Sequence, residues 1–343
     1  MELSTDVLVV GGGPAGTAAA ISAAQRGLRV VILERTRFPR HRPGETLHPG
    51  AEPIFIQLGV ADDVAAASEV RHEGQQVCWA GRQSTVPFGA DARGPWLGYQ
   101  ILREHLDAIL LARSRALGVA VLQPHTTAAA PTLSGDRVSG VTAADTITAR
   151  YVVDASGARG FLRRSLGLAE VRVSPPLRAW YGYGTGVGAG TAPTPSLIGD
   201  GRGWVWTARI GRQAFSWVRL DFGAQTRQCD RAPCVPGVQW HGPVRGADVT
   251  WRFVPASAGP GYFLVGDAAA VLDPASSRGV LRAMMSGIMA AHVIASVLAG
   301  VIAECDAVHG YRAWQRSWFK HDAERLRDLY ATLDPPPAWT AAT

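Results

Sequence analysis

Residues 5–34 read as a strand, a glycine turn, a helix and a second strand, and no other part of the chain constrains the fold as tightly. The first strand runs Thr5-Asp6-Val7-Leu8-Val9-Val10 and enters Gly11-Gly12-Gly13-Pro14-Ala15-Gly16. An alanine-rich stretch follows (Ala18, Ala19, Ala20, Ala23, Ala24), and Val30-Val31-Ile32-Leu33 leads into Glu34 and Arg35. In such a unit Gly11 lets the strand turn sharply, Gly13 lets backbone approach a pyrophosphate, and Gly16 permits close helix–strand packing. Pro14 and Ala15 open a helix whose N-terminal amides face that anion. Glu34, about 20 residues on, is placed to accept hydrogen bonds from ribose hydroxyls, with Arg35 beside it. The motif predicts a dinucleotide site and leaves NAD or FAD open.

Later segments address that choice. Gly261-Tyr262-Phe263-Leu264-Val265-Gly266-Asp267 is a buried strand running into Gly-Asp, followed by Asp273-Pro274 and Gly279-Val280. Here the chain resembles the FAD-dependent group that contains aromatic hydroxylases, flavin-dependent halogenases and geranylgeranyl reductases. The resemblance implies that Gly266 and Asp267 hold the ribityl chain. It also implies that Pro274, Gly279 and Val280 aim a helix N-terminus at the pyrimidine edge of the isoalloxazine. A helix N-terminus favours the anion formed when a flavin is reduced. Arg103 and Val152-Val153-Asp154-Ala155-Ser156-Gly157 match the same group, so the expected cofactor is one noncovalent FAD per chain, with Glu45 read as a cofactor contact or a cap of the helix at 51.

A length of 343 residues suggests two domains. The 47% hydrophobic and 18% charged content describes an ordinary globule. No run is expected to reach the roughly 20 apolar residues of a membrane span. The first strand starts near Met1, which leaves no room for a signal peptide, and cytoplasmic localisation is expected. Cys78, Cys229, Cys234 and Cys305 lack metal-like paired spacing, read as reduced thiols, and no metal is expected. The net charge of +6 rests almost entirely on scattered arginines, since Lys320 is the one lysine. This pattern argues against nucleic-acid binding, while a positive surface suits an acidic partner or the phosphate of NAD(P)H.

The expected fold class is α/β. It comprises a Rossmann-like FAD-binding domain of the glutathione-reductase type, an inserted antiparallel substrate sheet, and C-terminal helices. Residues 1–70, 96–168 and 256–300 are assigned to the FAD domain, 71–95 and 169–255 to the substrate domain, and 301–343 to a C-terminal helix and tail. Apolar periodicity predicts helices at 51–60, 102–117, 279–300 and 310–332. Alternation at 119–122, 126–130 and 138–147 predicts an antiparallel meander that returns to the parallel sheet at 151–154. Six tryptophans between 180 and 251, separated by Gly/Pro turns, mark the substrate sheet.

Gly203-Trp204-Val205-Trp206 resembles the Gly-Trp-x-Trp motif of halogenases, and Trp204 or Trp206 is expected to wall the passage between flavin and substrate. Halogenases of tryptophan also carry a lysine about thirty residues past the Gly-Glu of the first domain. Here the count from Gly44-Glu45 lands near His72-Glu73-Gly74. Ser276 stands where those enzymes have a glutamate. On these grounds halogenation is judged unfavourable and a monooxygenase or oxidase is expected. The segments Gly44-Glu45-Thr46-Leu47-His48-Pro49-Gly50 and Asp273-Pro274-Ala275-Ser276-Ser277-Arg278-Gly279 are similar to flavoproteins that mature tryptophylquinone cofactors. That resemblance implies oxygenation of a tryptophan in a partner polypeptide through a flavin C4a-hydroperoxide. The partner would be an amine oxidase or dehydrogenase subunit. O2 is the co-substrate, and electrons come from NAD(P)H or from reduced flavin supplied by a reductase. Small-molecule hydroxylation and isoprenoid reduction are the alternatives. His48 and Arg278 are the candidate catalytic side chains near the ring.

Overall fold

A computed structural model describes residues 3–124, 130–143, 145–187, 194–223 and 232–340. The first layer is an eight-stranded mixed sheet. Its parallel strands are β1 (Leu3–Val10), β2 (Val30–Leu33), β3 (Ala120–Leu122), β4 (Thr146–Asp154) and β5 (Tyr262–Leu264). All four residues of β2 are buried, as are the last four of β1 and of β4, which is the signature of strands covered on both faces. The long helices are α1 (Pro14–Ala24), α2 (Arg103–Ala116), α3 (Gly279–Leu298) and α4 (Glu304–Ala331).

Register brings the loops to one edge. Val10 pairs with Leu33 and with Asp154, and Asp154 pairs with Leu264. Gly11, Glu34, Ala155 and Val265 therefore all leave the sheet at its carboxyl end, where open α/β sheets bind their ligands. The alanines of α1 serve this packing. Gly287 of α3 comes so close that an added Cβ would stand 2.2 Å from the Ala15 carbonyl oxygen.

The second layer is a seven-stranded sheet in the order Val238–Asp248, Arg178–Gly186, Ala214–Asp221, Gly203–Arg209, Ser196–Asp200, Gly74–Trp79, Arg82–Pro87. Its inner face and α4 share a core of Trp79, Trp204, Leu220, Trp251, Phe319, Leu326 and Tyr330.

Three sequence expectations are corrected. Residues 120–122 pair parallel with β2 and so extend the dinucleotide sheet instead of joining a meander. The predicted strand 138–147 is two strands, Arg137–Thr142 and β4, broken where the Ala143 amide bonds the Asp145 carbonyl. The predicted strand at 126–130 lies mostly outside the described residues. Finally, α3 is long and apolar enough by composition to cross a membrane, with a mean hydropathy of 1.6 over its window. In this fold its buried residues Met284, Gly287, Ala290, Ala291 and Ile294 make it a core helix.

Candidate functional site: the dinucleotide cleft

The glycine turn is fixed by backbone demands. Gly11 has φ +111°, and a Cβ there would lie 2.3 Å from the Ala155 carbonyl oxygen; one on Gly16 would lie 1.9 Å from the Gly11 oxygen. Neither position tolerates a side chain. Gly13 caps α1, Pro14 takes the first turn, and Arg40 Nη2 lies 3.2 Å from where a Gly13 Cβ would be.

Glu34 is buried and largely engaged. It accepts from Gly12 N–H (2.8 Å), Thr36 N–H (2.8 Å) and Arg40 (3.1 Å). A carboxylate offers about four acceptor sites, so capacity for a ribose hydroxyl remains. Arg40 also reaches Asp107 (3.5 Å), which in turn holds Arg103 (3.1 Å). Arg103 donates to the Pro43 carbonyl (3.0 Å) and lies against Gly44. Arg35 is exposed. Burial of its inner part, then the neighbouring Arg159, Arg42 and Arg40 guanidiniums, lower its pKa despite Glu34. Like charges crowded at one mouth favour an anionic ligand.

Across the cleft, Asp267 has no hydrogen-bond partner among the described residues and its carboxylate is open to the cleft. Protein on its other sides pushes its pKa up, against the pull of Arg103 and Arg252. Gly266 is locked by φ +56° and by its N–H donating to Ser286 Oγ (2.8 Å). Asp273 caps the turn Pro274–Ser276, and Gly279 and Val280 open the 20-residue α3. An added Cβ on Gly157 or Gly279 would meet nothing within 4 Å, so open space faces both. A pyrophosphate turn, an unpartnered carboxylate for hydroxyls and a helix N-terminus thus face one space. These features fit FAD.

His48 is placed as a cap. Its Nδ1 accepts from Gly50 N–H at 3.0 Å, which leaves the proton on Nε2. Burial and then Arg278 depress its pKa, so the ring is neutral. Arg278 N-caps α3 and donates to Asp322 of α4 (3.4 Å), which also holds Arg282. The structure therefore brings His48 and Arg278 into one electrostatic neighbourhood beside the first turn of α3. Trp204 is not a free wall. It is 2% exposed, and its indole N–H donates to Tyr330 (2.8 Å). Trp206 is two residues on, hence on the same face of the strand, and packs against the same core.

Sequence reasoning missed Tyr183, whose hydroxyl donates to Glu45 at 2.6 Å from 138 residues away. No local signal exists for such a pair. It also missed Arg40 and Asp107, although the Arg103/Asp107 i,i+4 spacing was readable. Asp273 is a further omission as a hub. It is fully buried and accepts from Trp251 Nε1 (2.6 Å), the Tyr330 hydroxyl (2.8 Å) and Ala275 N–H (2.9 Å). Cys78 is partly buried, Cys234 and Cys305 are exposed thiols, and Cys229 lies outside the described residues.

The family model described as "FAD binding domain" matches residues 4–191. The chain belongs to this FAD-binding family. Among curated relatives, the tryptophan 2-halogenase of Chondromyces crocatus is 28% identical, over 95% of this chain and 68% of the relative. The menaquinone reductase of Mycobacterium tuberculosis is 29% identical, over 85% of this chain and 77% of the relative. Among solved structures, the myxobacterial chondrochloren halogenase aligns with TM-score 0.89 at 26% identity, over 99% of this chain and 86% of its own.

These likenesses relate the chain to flavin-dependent halogenases and to a menaquinone reductase. They overturn the expectation that halogenation is unfavourable. That expectation rested on a counted lysine position and on Ser276 in place of a glutamate; at the counted position His72 is 2% exposed with Nδ1 bonded to the Gly74 carbonyl oxygen (2.9 Å). Counting to a side chain does not reveal which group faces a substrate. None of the relatives named above is a quinone-maturation protein.

Proposed function

We propose that this protein is a flavin-dependent halogenase of an electron-rich aromatic ring. The observation that carries the reading is the likeness to the chondrochloren halogenase, which extends over the substrate-side sheet as well as the cofactor sheet. The tryptophan 2-halogenase supports it from sequence. When bound, fully reduced FAD would supply the two electrons and two protons that, with O2, a halide and one further proton, convert an aromatic C–H into carbon–halogen and release two waters.

The chain's own residues then have assignable tasks. Gly11, Gly13 and α1 receive the pyrophosphate, Glu34 and Asp267 receive hydroxyls, and the N-terminus of α3 faces developing negative charge. His48, with its proton held on Nε2 by the Gly50 bond, is a donor of fixed direction. Arg278 adds positive charge at the same end of α3.

The test supplies chemically reduced FAD, O2 and bromide to purified protein with indoles, phenols, pyrroles and tryptophan-containing peptides, read by mass spectrometry. A bromide-dependent product supports the reading, and the substrate that reacts decides between a free ring and a ring on a polypeptide. Oxygenated products with no halide dependence would overturn it. The second reading, reduction of an isoprenoid double bond, is favoured by the menaquinone reductase likeness. It predicts O2- and halide-independent loss of an alkene.

A further inference from the structure

The segment between β2 and the turn Pro49–Ala51 is held from three sides. Arg40 ties it to Glu34 and Asp107, and Arg103 ties it to the cofactor-side helix α2 through the Pro43 carbonyl. The third tie comes from the other layer. Tyr183, on the substrate-sheet strand Arg178–Gly186, donates its hydroxyl to Glu45 Oε1 at 2.6 Å. The second carboxyl oxygen accepts from Gly44 N–H at 3.0 Å, so Glu45 bends back onto its own chain. Gly44 needs its φ of +109° for this, and lies against Arg103.

We propose that Tyr183 is a positioning residue for the cofactor cleft: through Glu45 it fixes the Arg40–Arg103 side of the cleft in its FAD-binding arrangement. The inference goes beyond the halogenase reading and does not depend on it, since it concerns FAD affinity alone.

The physical basis is the cost of a buried carboxylate. Glu45 is 4% exposed, and among the described residues no cation is bonded to it. Burial raises its pKa, while Tyr183, the backbone amides and the more distant Arg103 hold it down. The groups around Tyr183 are Glu45, Tyr181, Arg245 and the edge of His41, whose ring centroid is 4.8 Å away. Burial and the Glu45 charge raise the phenol's pKa, so Tyr183 keeps its proton and acts as donor. With Glu45 ionised, both carboxylate oxygens have donors and the segment is fixed. With Glu45 protonated, one acceptor is lost and the tie to the sheet weakens. FAD affinity is therefore highest above the raised Glu45 pKa and falls as pH drops through it. Removing the phenolic hydroxyl strips a donor from the carboxylate and moves that pKa further up.

The experiment titrates FAD into the apo chain between pH 5.5 and 9, following flavin absorbance and fluorescence. It compares wild type, Tyr183→Phe, Glu45→Gln and the double variant, with far-UV circular dichroism as the control for folding. Tyr183→Phe keeps the ring against His41. It is expected to weaken FAD binding about tenfold at neutral pH and to move the midpoint of the affinity–pH curve upward. Glu45→Gln is expected to flatten the curve, and the double variant to match Glu45→Gln. If Tyr183→Phe does not fold, Glu45→Gln alone decides through the presence or loss of the pH dependence. Unchanged affinity and midpoint in Tyr183→Phe, or a wild-type pH curve in Glu45→Gln, would overturn the proposal. Loss of thermal stability with an unshifted curve would do the same, because it reports a merely structural bond.

Discussion

The carboxyl edge of the parallel sheet and the Asp273 hub beneath the second sheet are both buried, polar and densely bonded, yet they are specified differently. At the sheet edge the constraint is on backbone. Gly11 and Gly16 are required because no Cβ fits, Gly16 against the nearby Gly11 carbonyl and Gly11 against the distant Ala155 carbonyl, and in both cases the demand is written at the position itself as a glycine. At the hub the constraint is on side chains brought from far apart: Trp204, Trp251, Asp273 and Tyr330 meet across 22 to 126 residues. Backbone requirements leave a local trace in sequence, and long-range side-chain pairs do not. The same contrast separates the readable Gly11–Glu34 unit from the unreadable Tyr183–Glu45 tie.

The largest expected effect falls on the sheet edge. Gly16→Val should abolish FAD binding and cost at least about 3 kcal/mol in denaturant unfolding, since the side chain would be driven into the Gly11 carbonyl. Retained FAD binding in a folded variant would break the claim that backbone fit governs this region.

The hub should instead respond through charge. Asp273 is pushed up to about 6 by burial, against its bonds from Tyr330, Trp251 and Ala275. A carboxyl raised in the folded state contributes stability while protonated and loses it as pH rises from about 4 to about 6. Relative to Asp273→Asn, which cannot titrate, the wild-type advantage should therefore shrink by about 3 kcal/mol between pH 4 and pH 8. A gap that stays constant or widens would show that the hub is not under electrostatic load.

The smallest effect belongs to an exposed tie. Glu304 pairs with Arg137 at 2.6 Å, but both side chains are about one-third exposed. Glu304→Gln should cost less than about 1 kcal/mol, and less still at high salt. A loss like that of Gly16→Val would erase the distinction between buried and surface polar contacts.

How much was legible follows from the same distinction. The strand–turn–helix–strand unit of residues 5–34, the helix α2 and the buried strand leading to Gly266-Asp267 are legible because each is local. Strand 120–122 is not legible as part of the parallel sheet because its three residues carry no mark of a parallel neighbour 89 residues earlier. Trp204 was read as a substrate wall because its partner Tyr330 lies in the last long helix. Halogenation is judged unfavourable from sequence on Ser276 in place of a glutamate and on a lysine count that takes sequence distance for position in space, whereas His72 lies in a buried corner beside Phe88, with ring centroids 5.3 Å apart. Glu34 was assigned a ribose contact by distance along the chain, whereas its bonds to Gly12, Thr36 and Arg40 show that it also braces the turn itself.

The central claim is that the edge carrying Gly11, Glu34 and Asp267 is a FAD cleft. Isothermal titration of FAD into the purified chain, alongside Asp267→Ala, tests it most directly. The account predicts one FAD per chain, fully released on acid precipitation, with binding weakened about tenfold or more in Asp267→Ala because the hydroxyl-binding carboxylate is gone. Wild-type affinity in Asp267→Ala, or no saturable FAD binding by the wild-type chain, would contradict it.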